Sequence, residues 1–407
     1  MKSVTASITL QSPQGSTMPC LLRTAITLLL TAALAACSTT TSPFTHYVQI
    51  SSLPPLQLDD RVITIAEASE RIVTPDLLVV DDEMREFLAR YTDNIKHKRQ
   101  RLVTLHDAIS GSATLGIDYD PLASGTAQDV FHRGSANCLS YAALFVAMAR
   151  EVGLDAQFQW LEVRPQWTRK GERVMLRLHV NVAVKMRGKQ QFMVDIDPLQ
   201  SRDIASSRLI SDTDAQALHH SNIAMEYLAV EDLEFAWLHG LRAVQLSPGI
   251  SHLWVNLGAI YRAAGQHRAA EANYQYALKL DPWERSAMNN LGVLYEIEGN
   301  IDEKEYWERR VAQYRNSNPY YHAWLGDQAG EGEDWRKAVQ YYEKALALMP
   351  QDSGLLYALG LLHARLGEYE VASSYLQQAI ASATLYSDIK VYEAELLVLQ
   401  SKRQAGS

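Results

Sequence analysis

Cys138 is the residue of this 407-residue chain that most directly suggests covalent chemistry. It stands at the start of a helix predicted over residues 137–152, and Asn137 is the predicted N-cap. Free N–H groups and the helix dipole at such a position stabilise a thiolate, which lowers the pKa of a thiol. A nucleophilic cysteine needs this environment together with a histidine base. We therefore expect a histidine from elsewhere in the sequence to lie beside Cys138.

His179 is the predicted base. It lies in an alternating segment that is typical of a β-strand, with His179 and Asn181 on one face and valines on the other. The strand ends at residues 187–189, a hairpin signal, and folding back about residue 187 pairs position 179 with position 195. Asp195 is therefore predicted to orient the imidazole and to stabilise its charged form, and Asp197, on the same face, is the alternative.

Five stretches of this region resemble the transglutaminase-like cysteine superfamily, in the order the family has them. They are residues 126–131, 137–145, 149–154, 179–180 and 194–198, and together they span under a fifth of the chain. The resemblance implies Cys138 as nucleophile, His179 as general base and acid, and Asp195 as orienting carboxylate. It also implies acyl chemistry on amide bonds through a thioester, with water or an amine as the acceptor.

Several assignments around Cys138 stay open at this stage. The same spacing would survive in a degenerate triad that is retained for binding, and a cysteine on a helix face can be inert packing. His132 is interpreted as a loop or surface histidine. The Cys138 backbone N–H is one expected oxyanion donor, and Gln128 and Asn137 are the candidates for the second.

The elements that position these residues are predicted to form an α+β domain over residues 76–212, with helices first and an antiparallel sheet after them. Its predicted helices are 84–91, 101–109 and 137–152, and its predicted strands are 156–163, 174–186 and 191–196. The predicted fold class is therefore an α+β papain/transglutaminase-like domain followed by an all-α solenoid.

A 34-residue periodicity predicts that solenoid. A small residue recurs in register at Ala224, Gly258, Gly292, Gly326 and Gly360, which is typical of tetratricopeptide repeats. The five predicted repeats are 217–250, 251–284, 285–318, 319–352 and 353–386, followed by a capping helix and tail over 387–407. The third repeat departs most from the pattern, with Lys304, Glu308, Val311 and Asn316 at usually small, aromatic or proline positions.

The first helices of such an array line a concave groove, so the sequence predicts a protein or peptide partner there. One groove position is Asn in the first three repeats, namely Asn222, Asn256 and Asn290. These amides are predicted to hydrogen-bond an extended peptide backbone, and Arg262, on the same groove, to meet a carboxylate. The partner site is therefore expected in the first three repeats.

The N-terminal segment predicts export and lipidation. An apolar run over residues 25–33 precedes Leu34-Ala35-Ala36-Cys37, which resembles the bacterial lipobox, so residues 1–36 are interpreted as a signal peptide, with Met18 as an alternative start. Cys37 would then be acylated, and residues 37–75 would form the anchor and tether. Ser38 after the cysteine indicates the outer membrane of a Gram-negative envelope.

Composition excludes other classes of function. The formal charge of −9 and the lack of a basic stripe argue against a nucleic-acid partner. No ligand-spaced His/Cys/Asp/Glu set and no glycine-rich phosphate loop occurs in the sequence, so neither a metal nor a cofactor is expected. We therefore expect a membrane-anchored cysteine peptidase or amidase with recruiting repeats, and the alternative is a non-catalytic envelope scaffold.

Overall fold

A computed structural model describes residues 50–59, 61–163, 178–186, 191–199 and 204–405. All of them belong to one unit, Val48–Ser407. Within the described residues an α+β region precedes a series of paired antiparallel helices, which confirms the predicted fold class. The predicted signal peptide and Cys37 lie outside the described residues.

The segment from Ile50 onward is folded, although the sequence predicts a tether up to residue 75. It consists of a 3₁₀ turn (Ile50–Ser52), β1 (Leu56–Gln57) paired antiparallel with β2 (Val62–Ile63), and α1 (Ile65–Arg71). Leu53 and Leu56 are buried. This segment rests against the helical array, because the Tyr261 hydroxyl donates to the Pro54 carbonyl at 2.6 Å.

The α+β region is built around one central helix. Its helices are α2 (Asp82–Thr92), α3 (Lys98–Ser110), α4 (Ala127–Arg133) and α5 (Cys138–Glu151), and β3 (Asp118–Tyr119) pairs parallel with β4 (Ser135–Ala136). Every residue of α5 from Leu139 to Ala149 is buried, as expected for a helix that is apolar on all sides. Gly153, at a φ of 75°, follows the helix and allows the turn into the sheet.

A four-stranded antiparallel sheet follows α5. It consists of β5 (Asp155–Val163), β6 (Leu178–Lys185), β7 (Gln191–Val194) and β8 (Ile204–Leu209), in the order β7-β6-β5-β8. The first three match predicted strands. The edge strand β8 was not predicted, because most of its side chains are exposed and no alternation marks it. The predicted turn at residues 187–189 lies outside the described residues.

Five helical pairs and a final helix make up the rest of the described chain. The pairs are α6 (Asp212–Ala229) with α7 (Leu233–Leu246), α8 (Ser251–Ala263) with α9 (His267–Leu280), α10 (Arg285–Ile297) with α11 (Ile301–Ser317), α12 (Pro319–Glu331) with α13 (Trp335–Leu348), and α14 (Ser353–Arg365) with α15 (Tyr369–Ser382), followed by α16 (Tyr386–Ala405). None of the helices in the described residues is both long and apolar enough to cross a membrane.

Close packing within a pair depends on the small residue of its first helix. A Cβ atom added at Gly258 would lie 2.6 Å from the Tyr274 ring, and one added at Gly326 would lie 2.5 Å from the Tyr342 ring. The third pair differs, because a Cβ at Gly292 would meet no atom within 4 Å. Glu308 takes the place of the aromatic ring there, and its side chain is exposed. The departure of the third repeat in sequence thus corresponds to looser packing between α10 and α11.

The array contacts the sheet region at several points. Near its start, Arg150 on α5 forms a bidentate ion pair with Asp212, the first residue of α6. Further along, the Tyr320 hydroxyl donates to the Ala205 carbonyl on β8 at 2.6 Å. At its end, the Tyr386 ring packs on Phe192 of β7. The array therefore touches both edge strands of the sheet.

Candidate active site

Cys138 occupies the first position of α5. Asn137 is the N-cap, with an extended backbone (φ −79°, ψ 174°), and its side-chain oxygen accepts a hydrogen bond from the Ser140 N–H at 2.9 Å. The side chain of Cys138 is half-buried, whereas the rest of the first turn is buried. The sequence-based placement of a thiol at a helix start is therefore what the structure shows.

His179 projects from β6, one of the two inner strands of the sheet. It is paired across the sheet with Leu161 of β5, and 7% of the residue is exposed. Its Nε2 atom lies 2.5 Å from Oδ2 of Asp195, whose side chain is 3% exposed. The structure thus brings together the histidine and the carboxylate that the sequence proposes as partners.

The predicted pairing of positions 179 and 195 is wrong. The hairpin pairs Val182 with Val194 and Lys185 with Gln191, so the register is shifted by two residues from the predicted one. Extending that register by one residue places Asp195 opposite Asn181. A shift of two residues keeps a side chain on the same face, because faces alternate with a period of two. Asp195 therefore still reaches His179, diagonally rather than straight across.

Both carboxylate oxygens of Asp195 are held in place. Oδ2 also accepts from the Asn181 side-chain amide at 3.3 Å, and Oδ1 accepts from the Asp197 backbone N–H at 3.2 Å. Asp197, the alternative orienting residue, is itself exposed and contributes this N–H. Asn181 was not proposed as a site residue, although its position on the same strand face as His179 was a usable signal.

The electrostatics of His179 favour the imidazolium form. Burial of the ring opposes a charge, but hydrogen bonds to the Asp195 carboxylate and the Cys138 thiol outweigh it and raise the pKa of His179 to about 10. Since Asp195 occupies Nε2, Nδ1 is the ring nitrogen left to exchange a proton with the thiol. The arrangement can therefore keep a proton on the ring, next to a sulfur nucleophile.

Tyr141 is a second neighbour of the site that sequence reasoning missed. Its side chain is buried one turn beyond Cys138 on α5. Burial and the nearby Asp195 charge both raise the pKa of the Tyr141 phenol, so it stays protonated. No partner for its hydroxyl oxygen is found among the described residues. We find no sequence signal that would have singled it out within an apolar helix.

The other residues proposed around Cys138 have different partners. The Gln128 amide faces Asp81 at 3.4 Å, and the exposed ring of His132 binds the same carboxylate at 2.8 Å. The Asn137 amide is used in capping α5. Neither candidate for the second oxyanion donor therefore directs its side chain toward an acyl group at Cys138, whereas the Cys138 N–H at the start of α5 has no acceptor within the helix.

The groove asparagines make contacts within the array. The Asn256 amide donates to the Ser221 hydroxyl at 2.9 Å, and the Asn290 amide donates to the Ser286 carbonyl of its own helix at 2.7 Å. Asn222 and Arg262 are both half-buried. A peptide bound through Asn256 or Asn290 would therefore have to compete with these intramolecular hydrogen bonds.

A cavity of about 480 Å³ lies between the sheet and the array. It is lined on the sheet side by Trp160 and Arg208, and on the array side by Trp283 and Arg285. Trp160 pairs with Val180, so it lies on the opposite face of the sheet from His179. In the part of the chain that the structure describes, no group of three or more His, Cys, Asp or Glu is placed to hold a metal ion.

Comparison with known families supports both parts of this architecture. Residues 85–197 match the transglutaminase-like superfamily, and residues 255–319 and 325–386 match tetratricopeptide repeats. The first match encloses Cys138, His179 and Asp195. The second starts within α8, so it does not include the first helical pair, α6 and α7.

Individual relatives share only part of the chain. The general transcriptional corepressor trfA of Dictyostelium discoideum is 27% identical over 122 residues, which is 30% of this chain and 9% of that protein. BBSome complex member BBS4 of Bos taurus is 33% identical over 112 residues, which is 28% of this chain and 21% of that protein. This chain therefore spans less than a quarter of either relative.

Two solved structures resemble part of this chain at low sequence identity. The APC/C hetero-tetramer Cut9-Hcn1 is 18% identical with a TM-score of 0.24, covering 46% of this chain and 37% of that one. The MamA protein is 17% identical with a TM-score of 0.23, covering 41% and 91%. On the family matches, the chain carries a transglutaminase-like domain over residues 85–197 and tetratricopeptide repeats, modules that mediate protein interaction, between residues 255 and 386.

Proposed function

We propose that the protein is a cysteine peptidase or amidase that cleaves a protein amide through a thioester. The observation that carries this proposal is the position of His179, which contacts the Asp195 carboxylate at 2.5 Å and whose pKa is raised by both Asp195 and Cys138. A cysteine used only for packing has no need of a charged, oriented imidazole beside it. The agreement between this geometry and the family match over residues 85–197 supports the same reading.

The reaction follows from the protonation states. The Cys138 thiolate attacks the amide carbonyl carbon and forms a C–S bond. The C–N bond then breaks, and the leaving amine takes the proton of the His179 imidazolium. Water next attacks the thioester and gives its proton to the neutral imidazole, the C–S bond breaks, and the carboxylic acid leaves. The thiolate–imidazolium pair is thereby restored, and an amine in place of water would give a new amide instead.

Asp195 acts on His179 throughout this cycle. Its carboxylate fixes the ring plane through Nε2, so that Nδ1 faces the sulfur and the leaving group in turn. The Asn181 amide and the Asp197 N–H hold the carboxylate in that position. The oxyanion formed in each step would be stabilised by the Cys138 N–H at the start of α5, where the helix dipole adds to the effect.

The repeats are proposed to recruit the protein substrate or a partner protein, and the N-terminal segment to anchor the chain. Cleavage before Cys37 and acylation of its thiol would tether the protein to the bacterial cell envelope, on the outer membrane and facing the periplasm. The support for the anchor is the sequence Leu34-Ala35-Ala36-Cys37. Metabolic labelling with a fatty acid that is lost in Cys37→Ala would test it, and labelling that persists would refute it.

A thiol-reactive probe tests the catalytic proposal without knowledge of the substrate. The full chain is treated with iodoacetamide at pH 6, and alkylation of Cys138 is followed by peptide mass, which separates it from Cys20 and Cys37. We expect Cys138 to react at least about tenfold faster than a model thiol of pKa near 8.5. His179→Ala should lower the alkylation rate of Cys138 to that of the model thiol.

The matched control is His132→Ala, which removes an exposed histidine from the same domain and should leave the rate unchanged. Alkylation of the unaltered chain no faster than the model thiol would overturn the proposal. That result would favour the alternative, a scaffold whose transglutaminase-like domain has lost its activity. If the thiol is activated, incubation of envelope proteins with the chain and with Cys138→Ala would separate cleavage from ligation by mass.

A further inference from the structure

A chain of hydrogen bonds joins the helical array to the cap of the nucleophile helix. The side-chain amide of Asn137, the N-cap of α5, donates to the Ser124 hydroxyl at 3.0 Å. The Ser124 hydroxyl in turn donates to the Glu226 carboxylate at 2.8 Å. Glu226 lies on α6, the first helix of the array, 102 residues away from Ser124. We call Glu226, Ser124 and Asn137 the capping chain.

The donor and acceptor of each hydrogen bond in the capping chain are determined by the groups at its two ends, the Ser140 N–H and the Glu226 carboxylate. The Asn137 side-chain oxygen must face the Ser140 N–H, which can only donate, so the amide nitrogen must face Ser124. The Ser124 hydroxyl therefore accepts from Asn137, and its single proton is left for Glu226. A carboxylate can only accept, so the negative charge of Glu226 holds that proton and polarises the bonds behind it.

The surroundings make this arrangement rigid at the Cys138 end. Asn137 is 5% exposed and Ser140 is 1% exposed, so neither side chain exchanges its partners freely with solvent. The Gly125 N–H donates to the Ser140 hydroxyl at 2.9 Å, and the Asn137 N–H donates to the Ala123 carbonyl at 3.1 Å. The segment that carries Ser124 therefore packs over the start of α5, and the hydrogen bond to Glu226 connects this segment to the array.

We propose that Glu226 is a positioning residue for Cys138. By holding Ser124 it fixes the amide of Asn137, and with it the backbone that aims the thiol and the Cys138 N–H at the substrate. The repeat array would then be required for the reactivity of the thiol and not only for recruitment. This inference rests on the proposed function, in which Cys138 is the nucleophile, but thiol reactivity measures it without any substrate.

Two substitutions of Glu226 separate positioning from charge. Glu226→Gln keeps an oxygen that accepts the Ser124 proton, whereas Glu226→Ala leaves that proton without its acceptor. We expect Glu226→Ala to lower the alkylation rate of Cys138 by about tenfold at pH 6 and to move the pH profile of the rate toward alkaline pH. Glu226→Gln should retain the unaltered rate within about threefold, because a neutral acceptor still orders the hydroxyl.

Ser124→Ala supplies an independent test of the path. If Glu226 acts through Ser124, then Ser124→Ala combined with Glu226→Ala should be no slower than Ser124→Ala alone, because interacting residues are non-additive. Glu343→Ala is the matched control, since it removes an exposed carboxylate from α13, elsewhere in the array. Amide hydrogen exchange of a peptide covering residues 134–141 should accelerate in Glu226→Ala and stay unchanged in Glu343→Ala.

The outcomes distinguish this inference from the proposed function. If the unaltered chain reacts rapidly and His179→Ala abolishes the effect, but Glu226→Ala matches the unaltered rate and profile, then the positioning role is refuted alone. If the unaltered chain shows no activated thiol, the proposed function fails, and hydrogen exchange still decides whether Glu226 holds the helix start. Loss of global stability in Glu226→Ala with an unchanged pH profile would also refute positioning.

Discussion

Oδ2 of Asp195 reaches Nε2 of His179 at 2.5 Å by a diagonal contact between neighbouring strands. A diagonal partner is farther away than a direct one, so the contact depends on how the carboxylate is held. Asn181, directly across, and the Asp197 N–H supply that support. The contact between Asp195 and His179 therefore depends on the whole hairpin, and Asp195 and Asp197 contribute to it in different ways.

Asp195→Asn should reduce the alkylation rate of Cys138 at pH 6 by about 100-fold or more. The amide has nearly the same shape, but it lacks the negative charge that stabilises the imidazolium, and its NH₂ group cannot accept a proton from Nε2. Asp197→Asn is the matched control, because Asp197 contributes its backbone N–H and not its carboxylate. We expect it to stay within about threefold of the unaltered rate. Equal losses in both variants would contradict this assignment.

The pH dependence of the thiol follows from His179. Because the pKa of its imidazolium is raised to about 10, the positive charge beside Cys138 persists through neutral pH and disappears only as the pH rises through that value. The alkylation rate should therefore change by less than about threefold between pH 6 and 8, where a model thiol of pKa near 8.5 gains roughly a factor of 75. Rates measured with iodoacetamide across this range would check the profile, and a slope like that of the model thiol would contradict it.

The free energy of unfolding should also depend on pH through His179. The pKa of His179 is higher in the folded chain, about 10, than its ordinary value near 6.5, so the folded state binds more protons between these values. Its stabilising contribution is fully present below about pH 6.5 and is lost as the pH rises toward 10. His179→Gln should therefore destabilise the α+β domain most near pH 6 and least near pH 10. Urea unfolding at fixed pH values would measure the difference, and a constant difference would be the contrary result.

Part of the site could be predicted because its signals are local. The start of an apolar helix marks Cys138, and strict alternation marks the face of His179. The sequence predicts Asp195 on a register that differs by two residues from the observed one, and a shift of two residues leaves its side chain on the same face of the sheet. The exact register does not follow from the alternation, and a hairpin signal of this kind fixes a turn only to within a residue or so.

The remaining features depend on contacts between distant parts of the sequence. The folding of residues 50–75 onto the array depends on pairs such as Pro54 with Tyr261, and the capping chain on Ser124 with Glu226. Serine, proline and glutamate at these positions are equally compatible with solvent exposure, so composition alone predicted a tether. By contrast, the 34-residue period predicted the helical pairs, because each pair repeats the same packing of a small residue against its partner helix.

Substitution by alanine should have opposite effects on stability at the glycines of the second and third helical pairs. At Gly258 a methyl group would overlap the Tyr274 ring, so Gly258→Ala should destabilise the array by about 1–3 kcal/mol. At Gly292 the space is open, and alanine favours a helix over glycine, so Gly292→Ala should stabilise by about 0.5–1 kcal/mol. Urea unfolding followed by circular dichroism would compare the two. Equal destabilisation would show that α10 and α11 pack as tightly as α8 and α9.

Two histidines in contact, the buried His220 and the half-buried His239, should make the junction between the N-terminal segment and the array sensitive to acid. Nδ1 of His220 lies 2.9 Å from Nδ1 of His239, and its Nε2 lies 3.2 Å from the Thr74 hydroxyl, which accepts from Arg242 at 2.7 Å. Burial, with the nearby charges of His239, His219 and Arg242, lowers the pKa of His220 to about 3, and burial with His219 lowers that of His239 to about 4.

Because both values lie below the ordinary 6.5, the unfolded chain binds more protons in acid, and the stability present above about pH 6.5 is lost as the pH falls toward 4. One such histidine contributes a slope of up to about 1.4 kcal/mol per pH unit. His239→Gln should therefore reduce the loss of unfolding free energy between pH 6.5 and 4.5 by up to about 2 kcal/mol. His132→Gln is the contrasting control. The hydrogen bond to Asp81 raises the pKa of His132, so the contribution of His132 to the pH dependence of stability has the opposite sign. An acid slope that is unchanged in His239→Gln would show that these histidines do not control the acid response.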